Sequence, residues 1–118
     1  MSHSLDLALL RRANVARQAA YRNANGERVD CTAWSLEDWF CATVGELGEA
    51  ANITKKIRRG DFTLDEARES LAKELADTLV YLDLLAWAAG IDLAAATEAK
   101  FNEVNQRIGY PVQLREHQ

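Results

Sequence analysis

Two pairs of acidic residues could do chemistry in this chain. Glu46 and Glu49 stand three residues apart, and Glu74 and Asp77 repeat that spacing downstream. At about 100° per residue each pair falls inside an apolar helical stripe. The first stripe runs through Trp39, Ala42, Thr43, Ala50, Ile53 and Ile57, the second through Ala67, Leu71, Thr78, Tyr81, Leu85 and Ala88. Acid pairs at this spacing commonly lie on solvated helix faces, and that is the plain alternative. A carboxylate turned toward apolar surroundings without a partner costs several kcal/mol, and four together repel. Protonation, pairing with bases, or cations relieve that cost. Lys100 shares a stripe with Leu93, Ala96 and Val104 and is therefore expected to point inward, but one ammonium cannot neutralise four carboxylates. Oxygen-only ligands select hard ions such as Mg²⁺ or Mn²⁺. Glu46, Glu49, Glu74 and Asp77 on neighbouring helices thus form a clamp for one ion or for two bridged ions. A di-iron carboxylate bundle would want Glu-x-x-His pairs, whereas the histidines are His3 and His117, far from the acids.

The elements that must position these acids are helices. The 118 residues suit one domain, 1–118, 48% apolar and 27% charged, an ordinary globular balance. About a sixth of the residues are alanine and Pro111 is the single proline, so helix is the expected material. The spacing predicts a first helix from Leu5 to Asn23, with Leu5, Leu9, Ala16 and Ala20 on its apolar side, and a loop from Asn25 to Ser35. Ser35 and Asp38 cap a second helix that runs to Arg59 and stops at Gly60. Thr63 and Glu66 form a capping box for a third, which continues to Ala89 and ends at Gly90. Asp92 caps the fourth, from Leu93 to Ile108, stopped by Gly109 and Pro111. No alternating strand pattern occurs. A four-helix, all-α bundle is the expected architecture.

A net charge of −4 argues against a broad nucleic-acid-binding surface. No apolar run approaches the roughly 20 residues of a membrane span, and no secretory apolar segment opens the sequence. Cys31 and Cys41 fit neither a zinc pattern nor a disulfide framework. Reduced thiols in a cytoplasmic protein are expected.

Residues 34–114 carry a resemblance; residues 1–30, the first helix and its loop, lie outside it. The stretch reads Glu46-Leu47-Gly48-Glu49-Ala50, then Lys73-Glu74-Leu75-Ala76-Asp77-Thr78-Leu79-Val80-Tyr81, then Gly90-Ile91-Asp92-Leu93, and closes with Lys100-Phe101, Asn105, Arg107 and Tyr110-Pro111. It resembles the all-α nucleoside triphosphate pyrophosphatase superfamily, the MazG-like group that includes dimeric dUTPases and dCTP pyrophosphatases. The family motif is Glu-Glu-x-x-Glu followed by Glu-x-x-Asp. Gly45 replaces its first acid here, and Glu98 stands where many relatives have asparagine. The resemblance implies that Glu46, Glu49, Glu74 and Asp77 bind the metal, and that a (deoxy)nucleoside triphosphate is cut between its α and β phosphates to a monophosphate and pyrophosphate. Nucleotide-pool sanitation is one task that would fit.

That chemistry needs in-line positioning and charge neutralisation more than covalent help. Glu46 or Glu49 is the expected water-orienting carboxylate. Lys100 is the first candidate for a phosphate contact, against a lysine snorkelling at the core edge. Lys56 lies on nearly the face of Glu49, although it reads first as charge compensation at a helix C-terminus. Trp39 and Tyr81 flank the acids and would offer a base an apolar wall, or would simply be core aromatics. Trp34 is attractive as a lid residue. Asn105 and Arg107 enter only from the family-like C-terminal stretch. Leu79, Leu82 and Trp87 spread hydrophobes beyond the site-facing stripe of the third helix, which points to a homodimer or tetramer. Two other readings stay open: a family member that binds nucleotide or metal without turnover, and a helical interaction module.

Overall fold

The structure, a computed structural model, describes residues 4–117; His3 lies outside the described residues. Four α-helices form, α1 (Leu7–Arg17), α2 (Leu36–Arg59), α3 (Leu64–Ala88) and α4 (Leu93–Ile108), with short 3₁₀ turns between and after them. Among the described residues no strand occurs; a single bridge joins Arg22 and Arg28. No single helix there is long and apolar enough to cross a membrane.

Local chemistry sets the helix ends. Ser35 Oγ accepts from the Asp38 amide while the Asp38 carboxylate accepts from the Ser35 amide, and Thr63 with Glu66 repeats the exchange. These boxes satisfy amide groups that the first turn leaves without partners. Gly60, at φ 90°, lets α2 stop in the left-handed region, and Asp61 N–H closes back on the Lys56 carbonyl. Only three residues then separate α2 from the Thr63 cap, so α2 and α3 return alongside each other as the main helix pair.

The core sits toward the N-terminal end of α2. Trp39 and Leu84 are fully buried with Cys31, and Tyr21, Val29, Trp34, Val80 and Tyr81 close around them. Trp34 is half-buried, its ring centroid 4.5 Å from that of Trp39; it packs against the core and is not a free lid. Cys31 is buried and Cys41 exposed, both as free thiols.

The first helix departs from expectation twice. It ends at Arg17, and a 3₁₀ turn over Gln18–Ala20 redirects the chain. Tyr21 then lies extended and accepts from the Val29 amide at 3.0 Å. The expected apolar side is also the wrong one, for Leu5 and Leu9 are 61% and 46% exposed and Ala16 and Ala20 are exposed too. The buried face instead carries Asn14 and Gln18. Its partner is Asp83 on α3, 1% exposed. Arg11 Nε donates to both Asp83 carboxylate oxygens at 3.1 and 3.2 Å, and Asn14 Nδ2 donates to one at 3.0 Å. A buried carboxylate must be paired and hydrogen-bonded, so this polar knot, and not a leucine stripe, orients α1.

The fourth helix leaves α3 at 99°. Leu93, Ala96, Lys100 and Val104 line an open groove there instead of a closed core. The chain is extended as a result. Its radius of gyration is 17.3 Å, against about 13.5 Å for a compact domain of this length. Its accessible surface is 8767 Å², where a compact monomer of this mass shows roughly 6,400 Å².

Candidate metal centre

Glu46 and Glu49 are one turn apart on α2, and Glu74 and Asp77 one turn apart on α3. The pairing of the two helices brings the four together at their seam. One carboxylate oxygen from each of Glu46, Glu74 and Asp77 lies within 4.8 Å of the others, so the three could hold a metal ion. Glu49 stands beside them, close enough to Glu74 and Asp77 for their charges to raise its carboxyl. Burial is shallower than periodicity suggests. Glu46 and Glu74 are half-buried, whereas Glu49 and Asp77 are exposed at the rim.

The electrostatics are those of like charges brought together. Among the described residues none of the four acids has an ion-pair partner. Burial raises the Glu46 carboxyl above the ordinary range, and the charges of Glu49 and Asp77 push it the same way. Glu49 is raised first through its hydrogen bond with Glu74 and then by the Glu74 charge. Glu74 Oε2 is shut off from solvent and has no hydrogen-bond partner. Buried polar atoms in that condition call for an explanation such as an ion.

A cavity of about 280 Å³ opens beside the acids, lined by Glu46, Asp77, Val80 and Tyr81 from the long helices and by Arg17 and Tyr21 from the N-terminal segment. Tyr81 thus borders the acids, as its spacing suggested. Burial raises its phenol, and the charges of Glu46 and Asp77 contribute.

The other expected ligand contacts are placed elsewhere. Trp39 is 1% exposed inside the core, out of reach of any ligand. Lys100 does not point inward; with α4 turned away it is exposed and pairs with Glu103 at 3.3 Å. Asn105 is buried and donates to the Val112 carbonyl at 2.9 Å, tying down the C-terminal segment. Lys56 and Arg107 are exposed in the last turns of α2 and α4. Glu98 accepts from Arg115. His117 stacks on Tyr110. Sequence reasoning missed Arg17 and Tyr21, because helical periodicity carries no information about which loop returns to a site.

The chain matches no family model, no curated protein and no solved structure.

Proposed function

We propose that this chain is a Mg²⁺-dependent nucleoside triphosphate pyrophosphohydrolase of the MazG-like kind, releasing a monophosphate and pyrophosphate. The observation that carries the reading is the meeting of Glu46, Glu74 and Asp77 within 4.8 Å, with an enclosed, partnerless oxygen on Glu74. An all-carboxylate donor set fits a hard divalent cation, Mg²⁺ or Mn²⁺. Bound there, the cation would neutralise a phosphate chain and polarise its phosphorus. Glu46, Glu74 and Asp77 would hold it. Glu49 completes the set at the exposed rim, where its carboxylate can orient water.

A homodimer or tetramer belongs to the same proposal. The extended chain, the open groove of α4, and Phe40, Val44, Leu47 and Leu75 exposed on α2 and α3 supply the apolar surface that a second copy would cover. The free thiols of Cys31 and Cys41 support a reducing, cytoplasmic setting.

Pyrophosphate release from a panel of ribo- and deoxynucleoside triphosphates, with and without Mg²⁺, tests the function. Metal-dependent release is expected, and Glu49→Gln should lower turnover by about 100-fold or more with circular dichroism unchanged. Near-normal turnover in that variant would refute the role of Glu49. Tight nucleotide binding without release would make the protein a non-catalytic binder, a reading that Gly45 favours.

A further inference from the structure

The acid cavity has a second wall that comes from neither long helix. Arg17, the last residue of α1, and Tyr21, just past the 3₁₀ turn, line the same cavity as Glu46 and Asp77. The Arg17 guanidinium lies over the Tyr21 ring, 5.8 Å from its centroid. Among the described residues it pairs with no carboxylate, although it lines a cavity with two of them. The Tyr21 hydroxyl is shut off from solvent and has no hydrogen-bond partner. A phenol in that state is a donor left without an acceptor, a condition that calls for a partner. Both groups are held in place: Arg11 and Asn14 lock α1 onto Asp83, and the Tyr21 ring packs on the core.

A ligand that satisfies both walls must be cationic on one side and oxygen-rich and anionic on the other. A divalent cation chelated by a phosphate chain has that character. The guanidinium fork matches two phosphate oxygens, and a phenol donates to a third. We propose that Arg17 and Tyr21 form the phosphate-binding wall of this centre and grip a polyphosphate whose metal ion sits among the four acids. The proposal rests on the metal reading of those acids. It gives the N-terminal segment a part in the site and puts Arg17 in the role that Lys100 was expected to fill.

Calorimetry with Mn²⁺ alone, then with inorganic tripolyphosphate added to the Mn²⁺-loaded protein, tests it. Arg17→Ala and Tyr21→Phe should bind Mn²⁺ as the parent does, which also verifies their fold. Tripolyphosphate affinity should fall about 10-fold in Arg17→Ala and about 5-fold in Tyr21→Phe, with Arg17→Lys in between. Parent-like tripolyphosphate binding in both variants would overturn the proposal and leave the metal centre standing. A parent protein that binds Mn²⁺ but gains no tripolyphosphate would overturn it too. A parent that binds no Mn²⁺ would remove the metal reading, and this wall with it.

Discussion

Asp77 and Asp83 lie within two turns of each other on α3, yet their surroundings differ in every respect that matters. Asp83 is a single carboxylate, 1% exposed, with a guanidinium and an amide donating to it. Asp77 belongs to three carboxylates that meet within 4.8 Å, with no ion-pair partner among the described residues and one oxygen of Glu74 enclosed and partnerless. The first arrangement is complete as folded. The second, on the proposed reading, is completed by a cation. Burial alone therefore does not separate a structural acid from a functional one, since the more buried of the two is the structural one. What separates them is whether the chain supplies the countercharge itself.

The largest expected effect breaks the complete site. Arg11→Ala leaves the Asp83 charge buried with only Asn14 to satisfy it, and breaking a buried pair on one side typically costs 3–5 kcal/mol. Arg11 is 24% exposed, so water can replace part of the lost interaction and about 3 kcal/mol is expected. The midpoint of urea unfolding should fall accordingly, with the slope unchanged. A loss below about 1 kcal/mol would mean that α1 is held by something other than this knot.

At the incomplete site the sign should reverse. Glu74→Gln removes one of four repelling charges, so without metal it should raise the melting temperature by a few degrees, while abolishing the gain that Mg²⁺ gives the parent. The pH dependence follows the same logic. Glu46 and Glu49 are raised in the folded chain, so the folded state holds more protons than the unfolded one above the ordinary carboxylate range. Their contribution is present below the unfolded value and is lost as pH rises through the raised one. Metal-free protein should therefore melt higher at mildly acid than at neutral pH. Asp30, Asp61 and Glu66 are lowered by their hydrogen bonds; their stabilisation disappears only under more acid conditions. Saturating Mg²⁺ should invert the upper trend, because protons then compete with the ion. Melting curves at the two pH values, each with EDTA or Mg²⁺, would show parallel responses if the acids bind no metal.

Helix type, the two capping boxes and the convergence of the acids were legible because each depends on spacing along a single helix. Ser35 with Asp38, and Thr63 with Glu66, are local patterns with local outcomes. Glu46 and Glu74 share a seam because the short α2–α3 connection leaves the two helices little choice. The failures concern long-range pairing. Nothing in the vicinity of Asn14 announces Asp83, and Leu5 and Leu9 draw attention to a face that the fold leaves exposed. Lys100 does share a stripe with Leu93, Ala96 and Val104, but stripes say which residues share a face and not what lies opposite. Once α4 turns away at 99°, that face opens onto a groove. Tyr21 and Arg17 are invisible for the same reason: the 3₁₀ turn that redirects the chain to Tyr21, and the Asp83 contacts that orient α1 and with it Arg17, are not helical periods.

The smallest expected effect measures the field of the incomplete site directly. Gly45 lies in the interior of α2, and a Cβ built there meets nothing within 4 Å. Gly45→Ala should therefore stabilise the chain by about 0.5–1 kcal/mol through backbone entropy alone. Gly45→Glu gains similar helix propensity, but it places a fifth negative charge next to Glu46 and one turn before Glu49. Like charges at that spacing cost about 0.2–0.5 kcal/mol. The glutamate variant should therefore be less stable than the alanine variant by a few tenths of a kcal/mol in EDTA, and the gap should close when Mg²⁺ is added. A gap of the same size with and without Mg²⁺ would show that no ion reaches these carboxylates, whereas Asp83, already paired, should give no such metal-dependent difference in any variant near it.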